Sequence, residues 1–490
     1  MKSIRFDFNN LFSHAVGRTH GVDVTQLRAF KPELTRARRH LEELCAHPAN
    51  RVRLGLEWTK LPYQSADTIA SITGAAEQVC RRYDNVLFLG IGGSYLGLKA
   101  AQDALCPPYY NEFPALRRGR PRIYFEGNNL DPVTLQSLLS RLDPKRTYVV
   151  VISKSGETTE TKAAFMRVEA WLKKALGKAY GRSIMAITDP ETGSLRRKVE
   201  RAQRKDPRAF VNFPLLKGVG GRFSELNMGL FHLAVAGINI RDVLKGAGAM
   251  ARRIQRSAPL KDPALLYAAL HVLLYRNKGK AISVLMPFCE TLRSTADWYV
   301  QLLAESLGKK YGRRIEVDAG GNEHWHPDRK RRLNAGRTPV SSRGTNDLHS
   351  IQQNNIEGEY DKVVTFIRVE KFVPELRLPP GTELISGRRY SELMQLAQEA
   401  TEWALVGESR PNCTIILPEV SPYYWGALLY FFEMATAYEG ELLNVNAFDQ
   451  PGVEGYKNYM YYKLGKTGLA KDIVSRIRKN PLKKKGAFVF

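Results

Sequence analysis

With 490 residues, 43% of them hydrophobic, the chain can bury a full core, and its length points to two or more α/β units. Its 74 Lys and Arg against 49 Asp and Glu leave a formal charge of +25, which suits nucleic acid, an anionic surface or acidic small substrates. The basic residues are spread along the chain without a zinc-finger, basic-zipper or RNP pattern, so a generally basic surface with no specific nucleic-acid partner is expected.

Five cysteines without a CxxC pair argue against a complete disulfide framework and suit a reducing cytoplasm. The N-terminus, MKSIRFDFNN, lacks an apolar signal core, and no apolar run reaches membrane-spanning length. Neither export nor a membrane anchor is expected. Residues 1–84 read as a helical cover, with one pattern opening at Pro32 (Leu34, Leu41, Leu44) and another after Ser65 (Ile69, Ile72, Ala76, Val79). From residue 85 short apolar runs at 86–89, 123–125, 148–152 and 184–187 alternate with helical stretches, which predicts a parallel α/β lobe over 85–260. A second such lobe over 261–445 follows from a helix at 264–275, strands at 281–286, 363–369 and 414–417, and a helix at 422–441. Inside it, residues 309–342 are polar, glycine-rich and basic and read as an excursion over the surface. Residues 446–490 read as a C-terminal helical segment with a basic tail.

Several stretches carry chemistry. In TYVVVISKSGETTET (147–161) an apolar strand runs into Ser153, Lys154, Ser155 and Thr158 and then a helix, so hydroxyls and free backbone N–H groups point the same way, as in a phosphate cradle. GIGGSYLG (90–97) puts Gly93 and Ser94 at another helix entry. Its third glycine falls two places late for a dinucleotide fingerprint, so the loop reads as a second wall for one phosphate. In VGGRFS (219–224) Arg222 sits where permissive glycines can hold it against developing negative charge.

In QLLAESLG (301–308) Gln301 and Glu305 are four apart on one helix face, and Glu305 lies near the negative dipole end, where a carboxylate is a stronger base. GTNDLHS (344–350) offers His349 for proton transfer at neutral pH. FDQPGVEGYK (448–457) sets Gln450 in a turn and Lys457 three residues after Glu454. Taken alone, each is more often an ordinary structural residue: a loop arginine, a solvated glutamate, a structural histidine, a surface ion pair. His324 and His326 lack further ligands at a metal-binding spacing, so no metal site is expected.

Taken together, GIGGSYLG, SKSGETTET, VGGRFS, QLLAESLGK, GTNDLHS and FDQPGVEGYK resemble, in that chain order, the motifs of glucose-6-phosphate isomerases of the bacterial type, over residues 85–457. The resemblance implies two sugar-isomerase (SIS, flavodoxin-like) parallel-sheet lobes, a glycolytic and gluconeogenic aldose–ketose isomerase that needs no cofactor, and a homodimer whose site takes His349 from the neighbouring chain. It implies that Gly93, Ser94, Ser153, Lys154, Ser155 and Thr158 bind the sugar phosphate, with Glu305 the base between C2 and C1. His349 and Lys457 would open the ring, Arg222 would stabilise the enediolate, and Gln301 and Gln450 would position the sugar. Acceptance of mannose 6-phosphate, or a silent sugar-phosphate-binding protein of the same fold, are the alternative expectations. Glu157 and Glu225 depart from the pattern, where relatives usually carry Thr and an apolar residue, and both are expected to add negative charge near the substrate.

Overall fold

The computed structural model describes residues 2–489 and divides into two compact units, Met1–Ala447 and Phe448–Phe490. Among the described residues there are twelve strands: β1 (Arg5–Asp7), β2 (Asn85–Leu89), β3 (Arg122–Glu126), β4 (Thr147–Ile152), β5 (Ile184–Thr188), β6 (Val211–Pro214), β7 (Ile282–Pro287), β8 (Lys309–Val317), β9 (Glu323–Ala335), β10 (Thr338–Ser341), β11 (Lys362–Lys371) and β12 (Asn412–Glu419). All lie in the first unit.

β2 to β6 form a wholly parallel sheet in the order β3-β2-β4-β5-β6. Renumbered from its first strand this is the 2-1-3-4-5 order of flavodoxin-like sheets, and its connections leave in opposite directions between β2 and β4. That crevice, at the carboxyl ends of the strands, is where such sheets bind ligands. β2, β4 and β5 are buried along their whole length, as strands covered on both faces must be. Leu87, Val149, Val151 and Ala186 pack there with Phe165, Val168 and Leu172 of the Thr159–Leu176 helix.

The second sheet, ordered β1-β12-β11-β7-β10, is parallel except at its edge, where β1 runs antiparallel to β12 with Arg5 opposite Ile416. The helical cover therefore also supplies a strand, one too short for any alternation to show in sequence. Helices stand at Val24–Ala46 and Ala66–Arg82, but the first begins well before Pro32. Its start is set by Asp23, whose backbone N–H donates to Gln26 Oε1 at 3.1 Å, so the proline lies inside the helix and does not open it.

Residues 309–342 are likewise more than a surface excursion. β8 and β9 pair as an antiparallel hairpin, largely exposed, while β10 enters the second sheet beside β7. The Pro422–Leu443 helix is buried continuously from Tyr424 to Gly440. Gly426 brings it against the Ile240–Arg256 helix, since a Cβ there would lie 2.1 Å from Val243 O. Two carboxylates on it are paired with arginines: Glu439 with Arg337 at 2.9 and 2.7 Å, and Glu441 with Arg313 at 2.6 and 2.9 Å. The second unit carries the Glu454–Lys463 and Lys471–Lys479 helices.

Candidate active site

The loop after β4 is held open by the turn after β5. Gly156 has φ +74°, and a Cβ there would lie 2.5 Å from Leu195 N, so only glycine lets the loop pass so close. Thr188 Oγ1 donates to Ser153 O at 2.7 Å, and Ser194 N donates to Ser155 O at 2.8 Å. Ser153 is buried and its Oγ accepts from Gly156 N at 3.0 Å; Ser155 Oγ accepts from Glu157 N at 3.1 Å. Lys154 and Ser155 are exposed at the tip, and Thr158 is the half-buried N-cap of the Thr159–Leu176 helix, its hydroxyl uncommitted to a cap bond.

Burial opposes the charge of Asp189, which follows β5, but the N–H groups of Glu191 and Thr192 and the nearby Lys154 ammonium keep its carboxyl below the usual range. Glu157 pairs with Lys162 at 3.1 Å, one turn into the helix. A cavity of about 300 Å³ beside the loop is lined by Ser153, Gly156, Lys162, Ser194, Arg197 and Arg201 together with the apolar Val151, Phe165, Met166 and Leu195. The donors and charge there suit an anion.

Across the crevice, after β2, the glycine loop meets two other motifs. A Cβ on Gly93 would lie 2.3 Å from the Gly221 carbonyl carbon, and one on Gly92 would lie 3.0 Å from Gln301 Nε2. Ser94, half-buried, ends this turn. The Gly221–Phe223 turn presents Arg222, only 2% exposed. Its Nη1 donates to Glu305 Oε2 at 3.2 Å, its Nε to Ser306 Oγ at 2.8 Å and its Nη2 to the Ala447 carbonyl at 2.6 Å.

Gln301 and Glu305 share a face of the Arg293–Leu307 helix, as their spacing requires, and Gln301 Nε2 donates to Glu305 Oε1 at 3.0 Å. The Glu305 side chain keeps 29% exposure, so it is reachable from solvent. Two supports escaped the motif reading. Lys309 Nζ donates to Glu305 O at 2.6 Å, satisfying a carbonyl at the helix end, and Ser306 orients the guanidinium. A lysine directly after the Gly308 stop was the available signal for the first; a serine beside the glutamate gave none for the second.

Gly93, Ser94, Arg222, Gln301 and Glu305 are thus brought together at one edge of the switch point, with Ser153, Lys154, Ser155 and Thr158 on the loop of the adjacent strand. His349 is exposed at the end of the Asn346–His349 turn. Gln450 and Lys457 belong to the second unit. There Lys457 Nζ pairs with Glu454 Oε1 at 2.9 Å; burial works against the ammonium, but the hydrogen bond and charge of Glu454 prevail and raise its pKa above 10.5.

Glu225 does not add charge at the substrate face as expected. It is 2% exposed and turned inward, accepting the Trp298 indole N–H at 2.8 Å. His324 and His326 pair with Asp318 and Glu316, and no group of three or more potential metal ligands occurs among the described residues. Nor, among those residues, is any helix long and apolar enough to cross a membrane.

An anion cradle and a carboxylate–guanidinium pair flanking the switch point of a parallel sheet define an α/β enzyme suited to proton transfer on a phosphorylated substrate. The family model described as phosphoglucose isomerase matches residues 67–324 and 381–480. The chain is 38% identical over 488 residues to the glucose-6-phosphate isomerase of Carboxydothermus hydrogenoformans, covering 98% of this chain and 99% of that one. It is 37% identical over 419 residues to that of Symbiobacterium thermophilum, covering 84% and 87%.

Among solved structures, a hypothetical protein of Thermus thermophilus superposes with TM-score 0.77 at 32% identity, over 94% of this chain and all of the other. A glucose-6-phosphate isomerase of Chlamydia trachomatis shares the fold, with TM-score 0.72 at 21% identity over 94% and 90%. The chain belongs to the phosphoglucose isomerase family, and it is an isomerase. The model match leaves out residues 325–380, the stretch that holds most of β9, β10 and His349.

Proposed function

We propose that this chain interconverts glucose 6-phosphate and fructose 6-phosphate in glycolysis and gluconeogenesis, by proton transfer through a cis-enediolate. The observation that carries this reading is the contact of Glu305 with both Arg222 and Gln301 beside the anion cradle. Ser94, Ser153, Lys154, Ser155 and Thr158 hold the phosphate, and the backbone at Gly93 lets the sugar approach. Glu305 takes the proton from C2 and returns it to C1. Arg222, fixed by Ser306 and the Ala447 carbonyl, offers its charge to the oxygen that becomes negative, with no reorganisation needed at that moment. Gln301 and Gln450 orient the sugar, while Lys457 and His349 handle the proton of the ring oxygen.

His349 is assigned to the site of a second copy in a homodimer, a reading supported by its exposure at the end of the Asn346–His349 turn. The five cysteines are all unpaired, which suits a reducing cytoplasm. Exchange of the C2 proton of glucose 6-phosphate with solvent tests the base: E305Q is expected to abolish it while phosphate ligands still bind, and exchange at the wild-type rate rejects the assignment. Mixing E305Q with H349A chains tests the dimer. Shared sites regain activity in hetero-dimers, whereas two inactive proteins that stay inactive when mixed and refolded together reject a donated histidine.

A further inference from the structure

Midway along the β8–β9 hairpin the two strands fall out of register. Tyr311 lies opposite Arg332 but Gly312 lies opposite Asp328, so Arg329, Lys330 and Arg331 have no cross-strand partner and stand out as a bulge. These three and Arg332 are all exposed. The frame that presents them is fixed at several points. Arg313 N donates to Asn444 O at 2.8 Å, while its guanidinium holds Glu441 and lies 4.0 Å from the centre of the Trp325 ring. Toward the tip, Glu323 N donates to Asn50 Oδ1 at 2.8 Å and Asn50 Nδ2 donates to Gly321 O at 3.2 Å. The bulge itself is seated on β8, since a Cβ on Gly312 would lie 3.5 Å from Arg331 Cδ.

Elsewhere on this surface cations are matched in place: Arg38 with Glu42, Arg196 with Glu200 and Arg388 with Glu392, each pair four residues apart on a helix. The bulge lacks such a match. Among the described residues no ion pair involves Arg329, Lys330, Arg331 or Arg332, and the acids of the hairpin are engaged elsewhere. Glu316 pairs with Arg314 and His326, Asp318 with His324 and Glu323 with His40, while Asp328 Oδ1 accepts from Lys330 N. Neighbouring like charges on a fixed frame repel one another, so this run is unfavourable until a partner supplies the opposite charge. It also lies in the stretch 325–380 that the phosphoglucose isomerase model leaves out.

We propose that Arg329, Lys330, Arg331 and Arg332 form a docking surface for the phosphodiester backbone of nucleic acid, bound without regard to base sequence. A polynucleotide carries its charges in a close, regular line, and each phosphate neutralised releases a condensed counterion. Three of the four cations are arginines, whose planar fork can pair two N–H groups with two phosphate oxygens. The formal charge of +25 draws any polyanion toward the protein, and the fixed bulge decides where it settles. An anionic membrane fits less well, because membrane-surface elements add aromatic or aliphatic side chains that enter the lipid. Between Pro327 and Asn334 no aromatic or long aliphatic side chain is exposed, Leu333 being half-buried. The proposal does not depend on Glu305 being the base.

The test compares the full-length wild type with R329Q/K330Q/R331Q/R332Q and with a control that loses as many charges from the basic tail, K479Q/K483Q/K484Q/K485Q. Binding to fluorescein-labelled mixed-sequence duplex DNA and single-stranded RNA is followed by anisotropy from about 50 to about 200 mM salt. For duplex DNA the hairpin variant should show a slope of log K against log salt shallower than wild type by about 3 to 4, the value for four lost phosphate contacts. Near 100 mM salt it should bind at least ~10-fold more weakly, with the tail variant within ~3-fold of wild type. Its kcat for fructose 6-phosphate should be unchanged. Tighter binding of either the DNA or the RNA supports the surface and tells which of them supplies the backbone.

Equal losses in the two variants overturn the site, since net charge alone then explains the binding, and so does a hairpin variant that binds like the wild type. Tighter binding to phosphatidylglycerol vesicles than to either nucleic acid, lost in the hairpin variant, overturns the choice of partner. Should the hairpin variant fail to unfold cooperatively, the wild type is crosslinked to thiouridine-containing RNA and the attached peptides are mapped. Attachment within residues 327–335 supports the surface, and attachment confined to other segments overturns it.

Discussion

Glu305 and Glu225 are the same side chain in two opposed settings within one group of helices. Glu305 has a guanidinium at 3.2 Å, an amide at 3.0 Å and partial access to solvent. Glu225 has an indole N–H and almost no solvent. A carboxyl's task is decided less by its position in a motif than by whether a cation and water reach it. The Pro422–Leu443 helix repeats the contrast, since Glu433 is buried with no ion pair among the described residues while Glu439 and Glu441 face arginines.

The sharpest way to test that contrast is to convert one setting into the other. Arg337→Met leaves Glu439 buried without its cation, as Glu433 is, and unfolding in denaturant should show a loss of about 3–5 kcal/mol; a loss under about 1 kcal/mol would mean the pair is not sealed from water. Arg222→Met strips Glu305 of its partner and removes the charge that meets the enediolate, so kcat should fall by ~10²–10³-fold in a steady-state assay. Trp298→Phe removes the donor to Glu225 while keeping most of the aromatic volume. It should lower stability by about 1–3 kcal/mol at neutral pH, the range for orphaning a buried acceptor.

His40 provides a pH contrast of the opposite charge type. Burial disfavours its cation, but hydrogen bonds to Glu441 at 2.6 Å and Glu323 at 3.0 Å prevail and raise its pKa above 6.5. Its stabilisation is therefore full below pH 6.5 and lost as pH rises through the folded value. His40→Gln should cost about 1–2 kcal/mol near pH 6 and markedly less near pH 9, read from Tm at both. The smallest effect is expected at Glu157, already paired with Lys162 on an open surface. Glu157→Thr should change KM for fructose 6-phosphate by less than twofold, and a large fall in KM would show that its charge reaches the phosphate.

Much of this was legible in residue order. The runs at 148–152 and 184–187 announced buried parallel strands, because a strand covered on both faces must be apolar throughout. The 301/305 spacing put an amide and a carboxylate on one helix face for any helix that formed there. The strand Arg5–Asp7 was not legible, being too short for periodicity and dependent on β12 for its hydrogen bonds. Pro32 misled because a capping residue upstream outweighed it, and β10 was hidden in a basic stretch because it is a short segment between exposed neighbours.

By itself, the sequence determined the chemistry available: hydroxyls and glycines at strand ends, one arginine in a flexible turn, a glutamate one helical turn from a glutamine. Local periodicity and backbone freedom are properties of neighbouring residues, so they can be read in order. Only the tertiary structure decided which carboxylate meets a cation and which an indole in the interior. Glu305 meets Arg222 across 83 residues, and Glu225 meets Trp298 across 73. Desolvation and pairing depend on what packs around a group in space, and residue order does not record that.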